Sequence, residues 1–557
     1  MFNSKTRGIV ITALLLSLIL SLFQLPALAA VEKIHPRVRA AMAKGDFVQI
    51  LIKLSLQEDP QEAALAALDQ LPAGTQPVQR KLAAGQAVLD ALQSTATSSQ
   101  KQLLSLLETA VQNGLAREIR SFFIVNIIYA EVHPTLVSSL ARRRDVAAIL
   151  PNTAVGKADG AVTETDFSLN QDWNLEDIGV FAVHKSGITG SGVVVGIIDT
   201  GVDWNHPDLE RRWRGYNPAG PANPSLNWYD AVNGLSMPYD DDGHGTHVAG
   251  IIAGENGTGV APGASWIAAK AFDEFGEANS AWLISAGEYM LAPLDASGNP
   301  CPDMAPDIIN NSWGMDSGFD EWYRPMVQAW RAAGILPIFA AGNGSGAGSI
   351  FVPANYPEVL AVAAVNTDNR RSIFSGEGPA PYLEIYKPDL AAPGENIFST
   401  RAGGGYSLMS GTSVAAPHVT GIAALLLSQD PNLTPETLEA VFKQTALPLT
   451  DSQYPDTPNC GYGYGLVKAD AALALVREPT GIIQGKVSAP ISGGSAPVIT
   501  HTPIHEYYID GDLPICAQIE DSLGVVKAEM IIWDSVEQAD ITFPMDLLDG
   551  DNKSGTW

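Results

Sequence analysis

The spacing of apolar positions changes along the chain, and each change marks a different kind of structure. Residues 9–25 are a mainly apolar stretch that follows Lys5 and Arg7 and ends at Pro26-Ala27-Leu28-Ala29-Ala30. A basic start, an apolar centre and a small-residue exit are the order of a secretory signal peptide, with Ala27 and Ala29 placed for cleavage. The run is nearly long enough for a membrane anchor, but that exit and the lack of a second such run favour removal. Residues 47–54, 119–132 and 146–150 are β-branched, apolar runs that predict strands, and residues 77–114 and 134–143 have helical spacing. This order predicts a small two-layer α+β domain over residues 31–155.

From residue 156 the pattern becomes short, mainly apolar, β-rich runs separated by Gly-rich turns and Ala-rich helices. Residues 192–198, 264–271, 307–310, 335–341 and 359–365 suit strands buried on both faces, with helices at 281–291 and 321–333. The alternation predicts an α/β domain over 156–477, a mainly parallel sheet flanked by helices with its site at the carboxyl ends of the strands. A Gly-, Ser- and Pro-rich linker is expected at 478–496. The alternating runs in 497–557 predict the start of an immunoglobulin- or fibronectin-like β-sandwich, which would need roughly a hundred residues and is therefore expected to be truncated.

Composition narrows the function. Across 557 residues the hydrophobic fraction is 46%, the charged fraction 17% and the formal net charge −28. So acidic a surface repels phosphate backbones and anionic lipid, which excludes nucleic acid as a partner and leaves no stable membrane insertion once the signal is removed. The three cysteines, Cys301, Cys460 and Cys516, are too far apart for a zinc or redox motif. One Cys301 to Cys460 bridge is open to them, and so are plain thiols.

Four local patterns carry chemistry. Residues 193–198 form an apolar strand that delivers Asp199 onto Thr200-Gly201, a placement that lets a carboxylate orient an imidazole. An aspartic protease would need a second such motif, and Asp316-Ser317-Gly318 does not follow an apolar strand. His244, between Gly243 and Gly245, opens an Ala- and Ile-rich helix. His247 is spaced to share a metal with it, but the zincin pattern requires a glutamate that is missing, so His247 is expected to be structural. Ser413, in Ser410-Gly411-Thr412-Ser413-Val414-Ala415-Ala416-Pro417, begins another apolar helix, where free N–H groups favour developing negative charge. A serine there is ordinarily a cap. The order Asp, His, Ser on an α/β chain instead makes Asp199, His244 and Ser413 a catalytic triad. Asn343, in Ala341-Gly342-Asn343-Gly344 just past a buried strand, is then an oxyanion donor beside the Ser413 N–H.

With these motifs the chain resembles the subtilase family of serine proteases, peptidase family S8. The three signatures are Asp199-Thr200-Gly201, His244-Gly245-Thr246-His247 and Gly411-Thr412-Ser413-Val414-Ala415-Ala416-Pro417. The resemblance implies an endopeptidase acting on protein and peptide substrates, secreted and made as a zymogen. It implies that residues 31–155 are an I9-type, ferredoxin-like propeptide that acts as an intramolecular inhibitor, with maturation between residues 150 and 167. It also makes Ser312, Trp313 and Gly314 the edge on which a substrate strand adds. Arg142-Arg143-Arg144 is expected to be a solvated helix end. No cofactor is required for the chemistry. Structural calcium is expected of exported subtilases, though Asp240-Asp241-Asp242 serves equally as a solvated acidic turn. Residues 344–350 carry no acid, so a broad or apolar preference is expected over a strict basic one. The rivals are a noncatalytic scaffold and a protease that trims a single partner.

Overall fold

The computed structural model describes residues 32–477 apart from 73, 159–161, 164–171, 317, 319–320 and 383–384, and beyond 477 the strands alone. The expected signal peptide and Cys516 lie outside the described residues. The first unit contains α1 (Pro36–Met42), β1 (Val48–Leu54), α2 (Pro60–Leu68), α3 (Pro77–Gln112), β2 (Ala116–Phe122), β3 (Ile127–Val132), α4 (Pro134–Ala141) and β4 (Val146–Pro151). Its strands form an antiparallel sheet in the order β2-β3-β1-β4. The single strand expected over 119–132 is a hairpin. Asn126 takes a positive φ of 42° and its amide donates to the Leu56 carbonyl and Ser99 Oγ, so a turn interrupts the apolar run. At the end of α4, Arg143 pairs with Asp145 at 2.5 Å.

Two short strands follow, β5 (Ala154–Lys157) and β6 (Val162–Thr163). The main body then runs β7 (Val194–Asp199), β8 (Trp228–Asp230), α5 (His244–Ala253), β9 (Ser265–Lys270), β10 (Glu277–Asn279), α6 (Ser280–Leu291), β11 (Ile308–Asn311), β12 (Trp313–Gly314), α7 (Arg324–Ala332), β13 (Leu336–Ala340), β14 (Leu360–Val365), β15 (Leu390–Pro393), β16 (Ile397–Thr400), β17 (Tyr406–Met409), α8 (Thr412–Gln429), α9 (Pro435–Thr445) and α10 (Ala469–Arg477). Seven strands pair in parallel in the order β15-β14-β13-β11-β7-β9-β8. The sheet is the expected α/β core. Its two edge strands, β8 and β15, are too short to stand out in the apolar pattern.

The strands are buried on both faces because helices cover both, which removes the alternation that would mark a half-exposed sheet. Helix α8 is buried through almost its whole length and packs on α5, β13 and β14. Past the body, β18 (Ile483–Ser488), β19 (Val498–Thr500), β20 (Gln518–Glu520), β21 (Lys527–Asp534), β22 (Ala539–Met545), β23 (Asp549–Gly550) and β24 (Ser554–Thr556) make two antiparallel sheets, β18-β21-β22 and β19-β20-β24-β23. β18 falls inside the expected linker, where its residues pair with β21 over Ile483 to Ser488. The open bridge between Cys301 and Cys460 does not form: both are free thiols.

Candidate active site

The site is assembled at the carboxyl ends of the central strands. β7 ends on Asp199, and α5 begins at His244 after Gly243, whose φ of 103° an L side chain rarely adopts. Asp199 Oδ1 lies 2.7 Å from His244 Nδ1 and also accepts the Thr200 N–H at 2.8 Å. Both side chains are buried, so the pair is held out of water. The close approach depends on Gly245, because a Cβ there would fall 2.0 Å from the Gly201 carbonyl oxygen. Asp240 fixes the entry to α5. Its carboxylate accepts from Gly243 N at 2.8 Å, Thr246 N at 2.9 Å and Thr200 Oγ1 at 2.9 Å, satisfying first-turn donors that the helix itself leaves free.

His247 has the structural role expected of it. Its Nε2 faces the Ile397 and Ser407 carbonyls at 3.0 and 3.2 Å, and burial, then the neighbouring His244, pushes its pKa down to about 3. Burial likewise lowers His418 to about 4, with Nδ1 on the Val414 carbonyl and Nε2 on the Asn174 amide. Both imidazoles are therefore neutral at ordinary pH.

Asn343 stands just past β13. Its Oδ1 accepts the Thr412 N–H at 2.9 Å and the Thr412 hydroxyl at 2.8 Å. A backbone N–H can only donate, so the amide orientation is fixed and Nδ2 is the atom that faces outward. It donates to the Ala158 carbonyl at 2.7 Å. Thr412 is the residue before Ser413, so the amide and the serine are set on one frame at the start of α8. Comparisons with known proteins bear on the family. A model of the subtilase family matches residues 190–465. Subtilisin E of Bacillus subtilis (strain 168) is 34% identical over 385 residues, covering 67% of this chain and 88% of that protein.

The chain belongs to the subtilase family.

Subtilases are serine-type endopeptidases. This subtilase is also 36% identical over 308 residues to the subtilisin of Bacillus pumilus, covering 98% of that protein. Bacillopeptidase F of Bacillus subtilis (strain 168) is 40% identical over 558 residues, which is 94% of this chain but 38% of that protein. The chain thus spans well under half of that relative.

One contact at the candidate site was not anticipated. Pro417 lies inside α8 and has no N–H, so the Ser413 carbonyl loses its ordinary helical donor four residues on. Ser312 Oγ donates to that carbonyl instead, at 2.7 Å. Ser312, expected as a substrate edge, thus anchors the serine's backbone. The signal was a proline in an otherwise helical run, but its partner is remote in sequence.

The edge itself is occupied by this chain. β5 lies between β12 and β10, with Lys157 opposite Trp313 and Gly156 opposite both Gly314 and Glu277. The Ala158 N–H donates to the Ser312 carbonyl at 3.0 Å. Farther along, β6 pairs with β17, just before Ser413. The chain's own strands thus lie on both sides of Ser413.

Asp240 and Asp242 are not the solvated acids expected, while Asp241 is exposed. Asp240 caps α5, Asp241 accepts from the buried Lys270 at 2.5 Å, and both oxygens of Asp242 accept from Lys157 at 2.7 and 2.6 Å. Both oxygens of Asp240 and of Asp242 accept from protein donors, which leaves these two carboxylates a poor fit for calcium. Among the described residues no group of three or more His, Cys, Asp and Glu could hold a metal ion.

Proposed function

We propose that the chain is an exported serine endopeptidase made as a self-inhibited precursor, with Asp199, His244 and Ser413 as its triad and Asn343 as an oxyanion donor. The observation that carries the reading is a peptide carbonyl, that of Ala158, held by the Asn343 amide beside the buried Asp199 and His244 pair. His244 takes the Ser413 proton as the hydroxyl adds to the carbonyl carbon of a substrate, and Asp199 keeps the imidazole in the tautomer that can accept it. The oxyanion is met by the Asn343 amide and the N–H groups at the start of α8, where the helix dipole also favours negative charge. His244 returns the proton to the leaving amine, and water then releases the acyl group.

Substrates on this reading are extended segments of proteins, because recognition by Ser312, Trp313 and Gly314 is backbone pairing. The unit over residues 31–155 is the inhibitory propeptide, and export follows from the leader at residues 1–30. Among the described residues no helix is long and apolar enough to cross a membrane. The test compares the chain from Val31 with its Ser413→Ala variant, by intact mass and by labelling with a fluorophosphonate. The wild type is expected to shorten and take the label at Ser413, and the variant to do neither and to lose about a million-fold in turnover. A folded wild type that neither shortens nor labels would rule out the triad.

A further inference from the structure

The segment lying in the cleft is a sequence as well as a backbone, and its side chains meet specific walls. Lys157 has its Nζ 2.7 and 2.6 Å from the two oxygens of Asp242, with both side chains nearly buried at 13% and 12% exposure. Asp242 also accepts the His244 N–H at 3.1 Å, which ties this carboxylate to the start of α5. The lysine stem lies over Gly276, where a Cβ would fall 2.5 Å from Lys157 Cε. A buried two-oxygen acceptor beneath a backbone opening fits a long cation and rejects an anion.

Ala158 meets a different wall. Its N–H pairs with the Ser312 carbonyl and its own carbonyl with Asn343, so its backbone is held between the segments that lead to Gly314 and from Gly342. Phe351 lies against both glycines: a Cβ on Gly314 would be 2.8 Å from Phe351 Cβ, and one on Gly342 would be 2.4 Å from Phe351 Cγ. The Phe351 N–H donates to the Ala341 carbonyl at 2.9 Å, which fixes its backbone beside Gly342. The space beside the residue whose carbonyl meets Asn343 is thus limited by an aromatic ring, and Ala158 fits it with 1% exposure.

We propose that this subtilase reads a basic residue followed by a small one, Asp242 recognising the first and Phe351 limiting the second, and that the first bond it cuts is the one after Ala158 of its own chain. The inference rests on the proposed triad and adds the specificity. In that step Ser413 Oγ adds to the Ala158 carbonyl carbon and the bond to the next nitrogen breaks. The departing amine takes the serine proton by way of His244. Water then splits the ester, leaving the Ala158 carboxylate and the serine hydroxyl.

The test has two parts, both on the chain from Val31. The N-terminal fragment released by self-cleavage is weighed intact, and its last residue is expected to be Ala158. Tetrapeptide p-nitroanilides of sequence Val-Gly-Lys-Ala are then compared with the same peptides carrying Gln for Lys or Phe for Ala. Lys is expected to exceed Gln in kcat/KM by about tenfold or more, the scale of a buried charge pair. In Asp242→Asn that ratio falls to within about twofold, and in Phe351→Gly the Phe peptide overtakes the Ala peptide. The wild-type ratios decide even if a variant fails to fold. Hydrolysis with both ratios near one, or a fragment ending elsewhere, overturns the inference and leaves the endopeptidase standing. No hydrolysis of any peptide and no fluorophosphonate label would overturn the endopeptidase reading itself.

Discussion

Helix α3 serves two cores, and the contrast between them separates what holds the N-terminal unit together from what holds the site. Its later turns, through Leu103, Leu107 and Ala110, pack on the antiparallel sheet in an apolar cluster with Ile50, Ile128 and Leu140. Its earlier turns, through Ala84, Val88 and Leu92, join a cluster made mostly of the main body, with Trp330 and Tyr323. The main body buries more polar groups, and encloses them more completely, than the N-terminal unit, where Thr95, Gln100, Asn126 and Glu131 are the buried polar side chains among the described residues. Lys270, His247, Asn310, Ser312 and Thr412 are all fully enclosed in the main body. An apolar core specifies a shape, and several packings of similar volume satisfy it. A buried polar network is satisfied by one arrangement alone, and that fixes Asp199, His244 and Ser413 relative to each other.

The sharpest way to break the contrast is to remove one buried polar group from the body. Lys270 Nζ donates to the Thr200 carbonyl at 2.6 Å, the Phe272 carbonyl at 2.7 Å and Asp241 at 2.5 Å. Lys270→Met keeps the volume but leaves two buried carbonyls without a donor. A loss of about 3 kcal/mol is expected. Denaturant unfolding in a Ser413→Ala background, where self-digestion cannot interfere, measures it. A loss below about 1 kcal/mol would mean that the network under Thr200 contributes no more than packing does.

The candidate site was legible in sequence to the extent that its parts are local. Each of Asp199, His244, Asn343 and Ser413 stands on a glycine-flanked turn at the end of a strand or the start of a helix, and a few neighbours suffice to mark it. What connects them was not legible. Ser312 reaches the Ser413 carbonyl and Lys157 reaches Asp242 across long separations, so Asp242 had the look of a solvated acid and Ser312 of a plain edge residue. Lys270 sits at the end of an apolar run whose register places it opposite Asp199, and nothing local announces that its charge is enclosed. In the antiparallel sheet the apolar run across Phe123 to Val125 concealed the hairpin, since hydrophobicity continues through the turn.

The joint between the two regions gives a pH-dependent test. Glu288 on α6 accepts the Phe123 and Ile124 N–H groups at 2.5 and 3.0 Å, and burial pushes its carboxyl up to about 8. A carboxyl freed by departure of the N-terminal unit returns towards the ordinary carboxylate range. The joined state then holds the proton more tightly than the separated parts. Its grip is full at acid pH and declines as pH rises through about 8. The delay between self-cleavage, followed on a gel, and the onset of peptide turnover is expected to shorten on the order of tenfold from about pH 6 to pH 9. Glu288→Gln, a neutral acceptor of the same shape, should make that delay independent of pH; a wild-type delay that lengthened with pH would reverse the sign and refute the account.

A smaller effect sits at the same joint. Lys81 on α3 is ion-paired with Asp307 just before β11, and each side chain is about a third exposed at 31% and 30%. A pair so open to water contributes about 0.5 to 1 kcal/mol and is screened by salt. Asp307 is the wrong partner to remove, because its other oxygen accepts the Val194 N–H at 2.9 Å and holds the start of β7. Lys81→Ala is therefore the clean variant. It should shorten the delay roughly two- to fivefold at low salt, and about 0.5 M sodium chloride should bring the wild type to nearly the same value. If Lys81→Ala changed the delay by more than Glu288→Gln does at pH 6, the exposed pair would outweigh the buried carboxyl, and the grip of the N-terminal unit would be electrostatic steering at its surface rather than desolvated contact at α6.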